Sequence, residues 1–170
     1  MINTQQLREY IIKPSLSKLN AYSKDAEELM VFTCATESNG GEYLKQIKGG
    51  ALGIYQCEVS TYTDMWRNYI FNKYRLSTVL SLNFGTNGIP LPNRLVYDLS
   101  YATAMCRIHY LRVKEALPSG ADPEAMYAYY KEHYNTPLGK ATKKKSIDAY
   151  KRITQDSPYS AVTPITLQPN

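Results

Sequence analysis

Glu37-Ser38 is followed, twelve residues later, by Gly50-Ala51-Leu52-Gly53-Ile54-Tyr55-Gln56. A carboxyl group near a glycine-bracketed turn that ends in glutamine suits acid cleavage of a glycosidic bond. The acid must reach the leaving oxygen still protonated, and burial in an apolar cleft raises its pKa towards that state. Met30, Val31, Phe32, Cys34 and Ala35 lead into Glu37 and could form such a cleft wall. On position alone a solvated glutamate at a helix end is the commoner outcome, because acids are seldom fully buried. Ser38 can satisfy a fraying helix end. Gly50 and Gly53 permit a tight turn that presents backbone amides to a ligand. Gln56 can donate and accept, towards a sugar hydroxyl or towards the turn itself. Tyr55 can stack on a pyranose face or pack in the core.

A third stretch reads Tyr127-Ala128-Tyr129-Tyr130-Lys131-Glu132-His133-Tyr134-Asn135-Thr136, and Gly139-Lys140-Ala141-Thr142 follows it. The three stretches together resemble the soluble lytic transglycosylase and goose-type lysozyme superfamily. Its first two motifs read Glu-Ser and Gly-x-x-Gly-Leu-Met-Gln, and here Ile54-Tyr55 stands in for Leu-Met. Phage-encoded members read Tyr-Asn-Thr and then Gly-Lys-Gly-Thr, similar to the segment from Tyr130 through Thr142. The resemblance touches residues 33–66 and 100–150. It implies a mainly α, lysozyme-like single domain that cuts the β-1,4 bond between N-acetylmuramic acid and N-acetylglucosamine. It implies Glu37 as the catalytic acid, with Ser38, Gly50, Gly53, Tyr55, Gln56, Tyr130, Tyr134 and Asn135 on the substrate side. Family members close the groove with Ala-Tyr-Asn, whose tyrosine contacts the catalytic glutamate. Ala128-Tyr129 and Tyr134-Asn135 each keep part of that element, so which tyrosine faces Glu37 stays open.

Most glycosidases need two carboxylates. Glu42, Glu58 and Asp64 are the nearby candidates, and none sits in a motif that demands the role. Lytic transglycosylases work with one glutamate, because the 6-hydroxyl of the substrate attacks C1 and leaves a 1,6-anhydro product. Hydrolysis, with Glu58 or Asp64 positioning water, is the alternative.

Other chemistries find little support. His109 and His133 are the two histidines and make no metal site with any cysteine spacing, so neither metal nor cofactor is expected. No phosphate-binding glycine motif occurs. Cys34, Cys57 and Cys106 are odd in number and widely spaced, which argues against a disulfide framework and for inert, reduced thiols. Lys140, Lys143, Lys144 and Lys145 read as a solvated helix face, with anionic wall polymer or nucleic acid as the sharper alternative. The net charge of +5 favours anionic partners without naming one. Peptidoglycan strands are the expected partner, and nucleic acid is not.

The elements that must position Glu37 are helical. Thr4 should cap a helix to about Ile12, with Pro14 discouraging its continuation. Ser23, followed by Asp25, Glu27 and Glu28, should cap a helix from Lys24 to Ser38, broken by Asn39-Gly40-Gly41. Further helices are expected over 60–72 and 73–82, then a loop over 83–93. Leu95, Leu99, Ala102, Cys106, Tyr110, Val113 and Leu117 predict one long central amphipathic helix. Asp122-Pro123-Glu124 should open a helix to Tyr134, and a last helix should cover 140–153. No strand run is convincing. The expected organisation is an N-terminal helical segment (1–22), the lysozyme-like domain (23–155) and an extended tail (156–170).

At 170 residues, with 44% hydrophobic and 21% charged content, the chain can bury one core. Tyrosine is the outlier at 16 copies, and helix packing should account for most of them. No window reaches the ~18 apolar residues of a membrane span, and the polar start Met1–Gln6 lacks a signal-peptide core. These features lead to an expectation of synthesis in a bacterial host cytoplasm, carriage in a phage virion and action on the periplasmic wall. The proline-punctuated tail, with Val162, Ile165 and Leu167 as anchors, would dock on other virion proteins. Two alternatives remain: a virion structural or interaction protein that keeps the fold with little activity, and a free endolysin.

Overall fold

The computed structural model describes residues 1–135 and 139–155, and the fold and contacts are those of these residues. The expected docking tail, 156–170, and Thr136 of the third stretch lie outside them.

The first helix, α1, runs through Thr4–Gln6, Leu7–Ile12 and Lys13–Lys18. Its cap is Asn3 and not Thr4, because the Asn3 side chain accepts from the Gln6 amide at 3.0 Å. Nor does Pro14 end it. Leu7–Ile12 is a widened turn in which the Lys13 amide bonds Arg8 O, five residues back. Pro14 thus falls at the start of the next segment, where a missing N–H costs little. Arg8 then clamps α1 to the following helix through two 2.7 Å bonds to Glu28.

That helix, α2 (Lys24–Ser38), begins where the side chain of Ser23 accepts the Ala26 amide at 3.0 Å. It ends as its sequence predicts, with Asn39 left-handed at φ 53° and the Gly40 amide returning to Cys34 O. Leu29, Met30, Val31, Phe32 and Cys34 are all fully buried, so α2 is surrounded and not merely half-sunk. It is the central element. The expectation of a central helix over 95–117 is corrected. That segment divides into α5 (Arg94–Tyr97) and α6 (Leu99–Leu111). Asp98 sits between them in extended backbone and caps α6 by accepting the Tyr101 amide at 2.9 Å. The apolar period carries across the break because both pieces face one core.

The remaining helices are α3 (Val59–Met65, continued by Trp66–Ile70), α4 (Tyr74–Phe84), α7 (Pro123–Tyr130, continued by Lys131–Asn135) and α8 (Lys143–Gln155). Asp122 caps α7 as predicted, accepting the amides of Glu124 and Ala125. Helices α8, α7, α6 and α1 pack around α2 in one mainly helical domain. Leu7, Ile12 and Leu16 of the N-terminal segment share its core. Among the described residues there is no strand, only isolated bridges from Leu52 to Lys45 and to Cys57. Among the described residues no helix is long and apolar enough to cross a membrane.

Tyrosine does much of the joining. Tyr62 and Tyr101 share a 2.7 Å hydroxyl contact that also receives the Trp66 indole, while Tyr110 meets Thr33 at 2.8 Å. Each ring contributes apolar area, and each hydroxyl finds a partner inside.

Candidate active-site groove

Glu37 occupies the last turn of α2 and faces a groove of about 900 Å³. Gln56, Tyr130, Tyr134 and Asn135 line the same groove. Two of the expected elements therefore converge on the acid although they are distant in sequence. The Glu37 carboxyl is half-buried, and its pKa is raised to about 7. Loss of hydration is the main cause. Hydrogen bonding from Tyr130 and Asn135 opposes the rise, and the negative charge of Glu58 adds to it.

The contact tyrosine is Tyr130, whose hydroxyl donates to Glu37 Oε1 at 2.5 Å. Tyr134 instead donates to Tyr55 O at 2.7 Å, bracing the turn. Tyr130 and Tyr134, four residues apart on one helical face, stack with ring centres 5.9 Å apart and planes 24° from parallel. Burial, followed by the neighbouring Glu37 charge, pushes the Tyr130 phenol up, so it remains a donor.

Four expected substrate-side residues stand elsewhere. Ser38 is fully buried, and its hydroxyl donates to Ile54 O at 2.6 Å and accepts the Gly41 amide at 3.0 Å. It thus ties the acid-bearing helix to the glycine turn, and the expectation that it meets substrate is corrected by that burial. Tyr55 is likewise a core residue, with its hydroxyl 3.0 Å from Thr103 Oγ1. Gly53 turns at φ 75° with its Cα against Leu95, where an added Cβ would sit 2.3 Å from Leu95 O. The close approach is to the protein's own backbone and not to a ligand. Gly50 is exposed, and the nearest atom a side chain there would meet is Glu58 Oε2 at 3.8 Å. Gln56 holds left-handed backbone (φ 45°) and donates from Nε2 to Gly53 O at 2.7 Å, closing the turn while facing the groove.

Of the alternative carboxylates, Glu58 lines the groove and is exposed. Asp64 is bound to Arg112 at 2.9 Å and to Asn68 at 2.7 Å, and it does not line the groove. Glu42 is engaged by the amide of Asn39 and is also absent from the lining. The three thiols are buried and free. Burial pushes Cys34 and Cys57 up to about 12, too high for either to serve as a thiolate nucleophile.

His109, which the sequence offered only as a metal ligand without partners, lines the groove, as do Thr36 and Ser146, which no motif singles out. Each has a buried polar side-chain atom without a hydrogen-bond partner among the described residues: His109 Nδ1, Thr36 Oγ1 and Ser146 Oγ. Burial and the nearby Arg112 lower the His109 pKa to about 4, so the ring is neutral near pH 7. Thr36 carried a usable signal as the residue preceding the acid, whereas Ser146 carried none. Among the described residues no cluster of His, Cys, Asp and Glu is arranged to hold a metal ion.

Comparison of the chain with protein-family models, with curated proteins and with solved structures gives no match.

Proposed function

We propose that this chain is a peptidoglycan-cleaving, lytic transglycosylase-like enzyme with a lysozyme-like arrangement of helices. The observation that carries the reading is the placement of Glu37: a carboxyl in the groove wall, held by the Tyr130 hydroxyl at 2.5 Å, where burial raises its pKa to about 7. Such a group is protonated in a useful fraction of molecules at neutral pH and can return as a base after giving up its proton. In the proposed reaction Glu37 protonates the oxygen linking N-acetylmuramic acid to N-acetylglucosamine. The C1–O bond breaks with its electron pair passing to that oxygen. The 6-hydroxyl of the same muramic residue then bonds to C1, and its proton passes to the Glu37 carboxylate. The acid is restored and the new end is a 1,6-anhydro sugar.

A second reading has one specific observation behind it, the presence of Glu58 in the same groove. If Glu58 activates water, the product is an ordinary reducing end and the enzyme is a hydrolase. The resemblance to phage-encoded members suggests action on the wall during particle entry, through a virion-bound copy.

The full chain should be incubated with peptidoglycan and the muropeptides resolved by mass spectrometry. The transglycosylase reading requires products lighter by one water than the hydrolytic ones and no heavy oxygen taken up from labelled water. Activity must disappear in Glu37→Gln. Cleavage surviving that change refutes the assigned acid, and a folded full chain that cuts no wall polymer favours a structural virion protein.

A further inference from the structure

At one end the groove is walled by α8 and the loop before it, with Lys140, Thr142, Lys145 and Ser146 in the lining. The first turn of α8 holds Lys143, Lys144 and Lys145, where a helix dipole favours anions over cations. Lys143 is offset by Glu124 at 2.8 Å and Lys144 by Asp148 at 3.0 Å. Lys140 and Lys145, which face the groove, pair with no carboxylate among the described residues. A second and independent feature sits at the same helix end. Ser146 is 1% exposed, lines the groove, and its Oγ has no hydrogen-bond partner among the described residues. The Thr36 hydroxyl, beside Glu37 on the packed helix α2, is in the same condition. Buried hydroxyls without partners are rare, because hydration is lost and nothing replaces it. Positive charge, a helix N-terminus and the unspent Ser146 hydroxyl therefore coincide at the start of α8.

We infer that this end of the groove is an anion subsite that takes a carboxylate carried by the glycan strand. The inference rests on the reading of the groove as a glycan site. A singly charged group fits better than a dianion, because Glu37 and Glu58 share the groove and repel additional negative charge. The carboxylate can come from the lactyl group of muramic acid or from the attached stem peptide, and the recognition chemistry is the same for both.

Binding to the full-length Glu37→Gln chain tests this without turnover. The probes are the N-acetylglucosamine–N-acetylmuramic acid disaccharide, the same disaccharide carrying an alanyl-isoglutamine dipeptide with its single free carboxylate, and the methyl ester of each. The expected result is that at least one acid binds about tenfold more tightly than its ester, the scale of one charge-assisted hydrogen bond at a partly exposed site. The preferred probe identifies the source. Adding Lys140→Gln with Lys145→Gln, or Ser146→Ala alone, should bring the acid-to-ester ratio towards one. A ratio already near one in the parent, or a ratio unmoved in both variants, overturns the subsite. Acid preference in a chain that cuts no wall polymer keeps the subsite and removes the proposed activity. Cleavage with no acid preference does the reverse.

Discussion

The Tyr130 hydroxyl donates to Glu37 Oε1 at 2.5 Å across 93 positions of sequence. That bond favours the ionised carboxyl and therefore holds down a pKa that burial drives up. Tyr130→Phe removes the hydroxyl and leaves the ring stacked on Tyr134. The acid should then hold its proton to higher pH, so the falling limb of kcat/KM moves further above about 7. The maximal rate should drop about tenfold, the loss expected for one hydrogen bond to a charged group. A pH–rate profile checks both. A purely structural role for Tyr130 would lower the rate without moving the limb.

Glu58 separates the two cleavage chemistries. Its charge raises the Glu37 pKa, so Glu58→Gln should shift the falling limb to lower pH. In a one-acid mechanism the rate at low pH should change by less than about tenfold. If Glu58 activates water, loss of that base should cost about 100-fold or more. Initial rates at pH 5 and pH 8 for parent and variant distinguish the cases.

Ionisation of Glu37 also bears on stability. Its folded pKa of about 7 lies above the ordinary value of 4.5, so the folded state binds the proton more tightly than the unfolded state does. The contribution is fully present below pH 4.5 and is lost as pH rises through about 7. The amount at stake is at most about 3 kcal/mol. Glu37→Gln should therefore flatten the fall in melting temperature between pH 5 and pH 8. An unchanged pH slope would mean that the carboxyl is hydrated in the folded protein.

The central helix was legible because its signals are local: a serine cap, first-turn acids and an Asn-Gly-Gly exit all lie within a few residues of its ends. The junction at Asp98 was not, because the apolar spacing on both sides satisfies a single helix and only the cap at Asp98 breaks it. The groove was half legible. Glu37, Gln56, Tyr130, Tyr134 and Asn135 converge on it, whereas Ser38, Gly53 and Tyr55 turn inward. Motif spacing names the residues of a turn without saying which side of it meets solvent. The widened helical turns at Leu7–Ile12, Trp66–Ile70 and Lys131–Asn135 have no sequence signature comparable to a cap.

Ser38→Ala should separate assembly of the groove from its chemistry. The serine hydroxyl links Ile54 O to the exit of α2, and its removal leaves that buried carbonyl without this donor. A loss of about 1–3 kcal/mol follows from an unmet buried polar group. Hydrogen exchange should rise in residues 50–56 before it rises in α2, since the tether and not the helix is cut. Protection lost equally in both would place Ser38 in the cooperative core.

Gly53 gives the sharpest stability test. Its left-handed backbone penalises any side chain, and its packing against Leu95 leaves no room for one. A methyl group would meet the carbonyl oxygen at 2.3 Å, so Gly53→Ala must move the turn away from α5 or rotate it out of its conformation. Strain and overpacking together should cost about 2–4 kcal/mol. Either movement also shifts Gln56, whose side chain is bonded to Gly53 O, and with it one wall of the groove. Urea denaturation should show a lower midpoint at unchanged slope, and glycan binding should weaken in the fraction that stays folded. By contrast, Gly50→Ala meets only Glu58 Oε2 at an ordinary 3.8 Å and should leave the midpoint within about 1 kcal/mol. Equal losses at the two glycines would mean that flexibility of the turn, and not the contact with Leu95, is what Gly53 supplies.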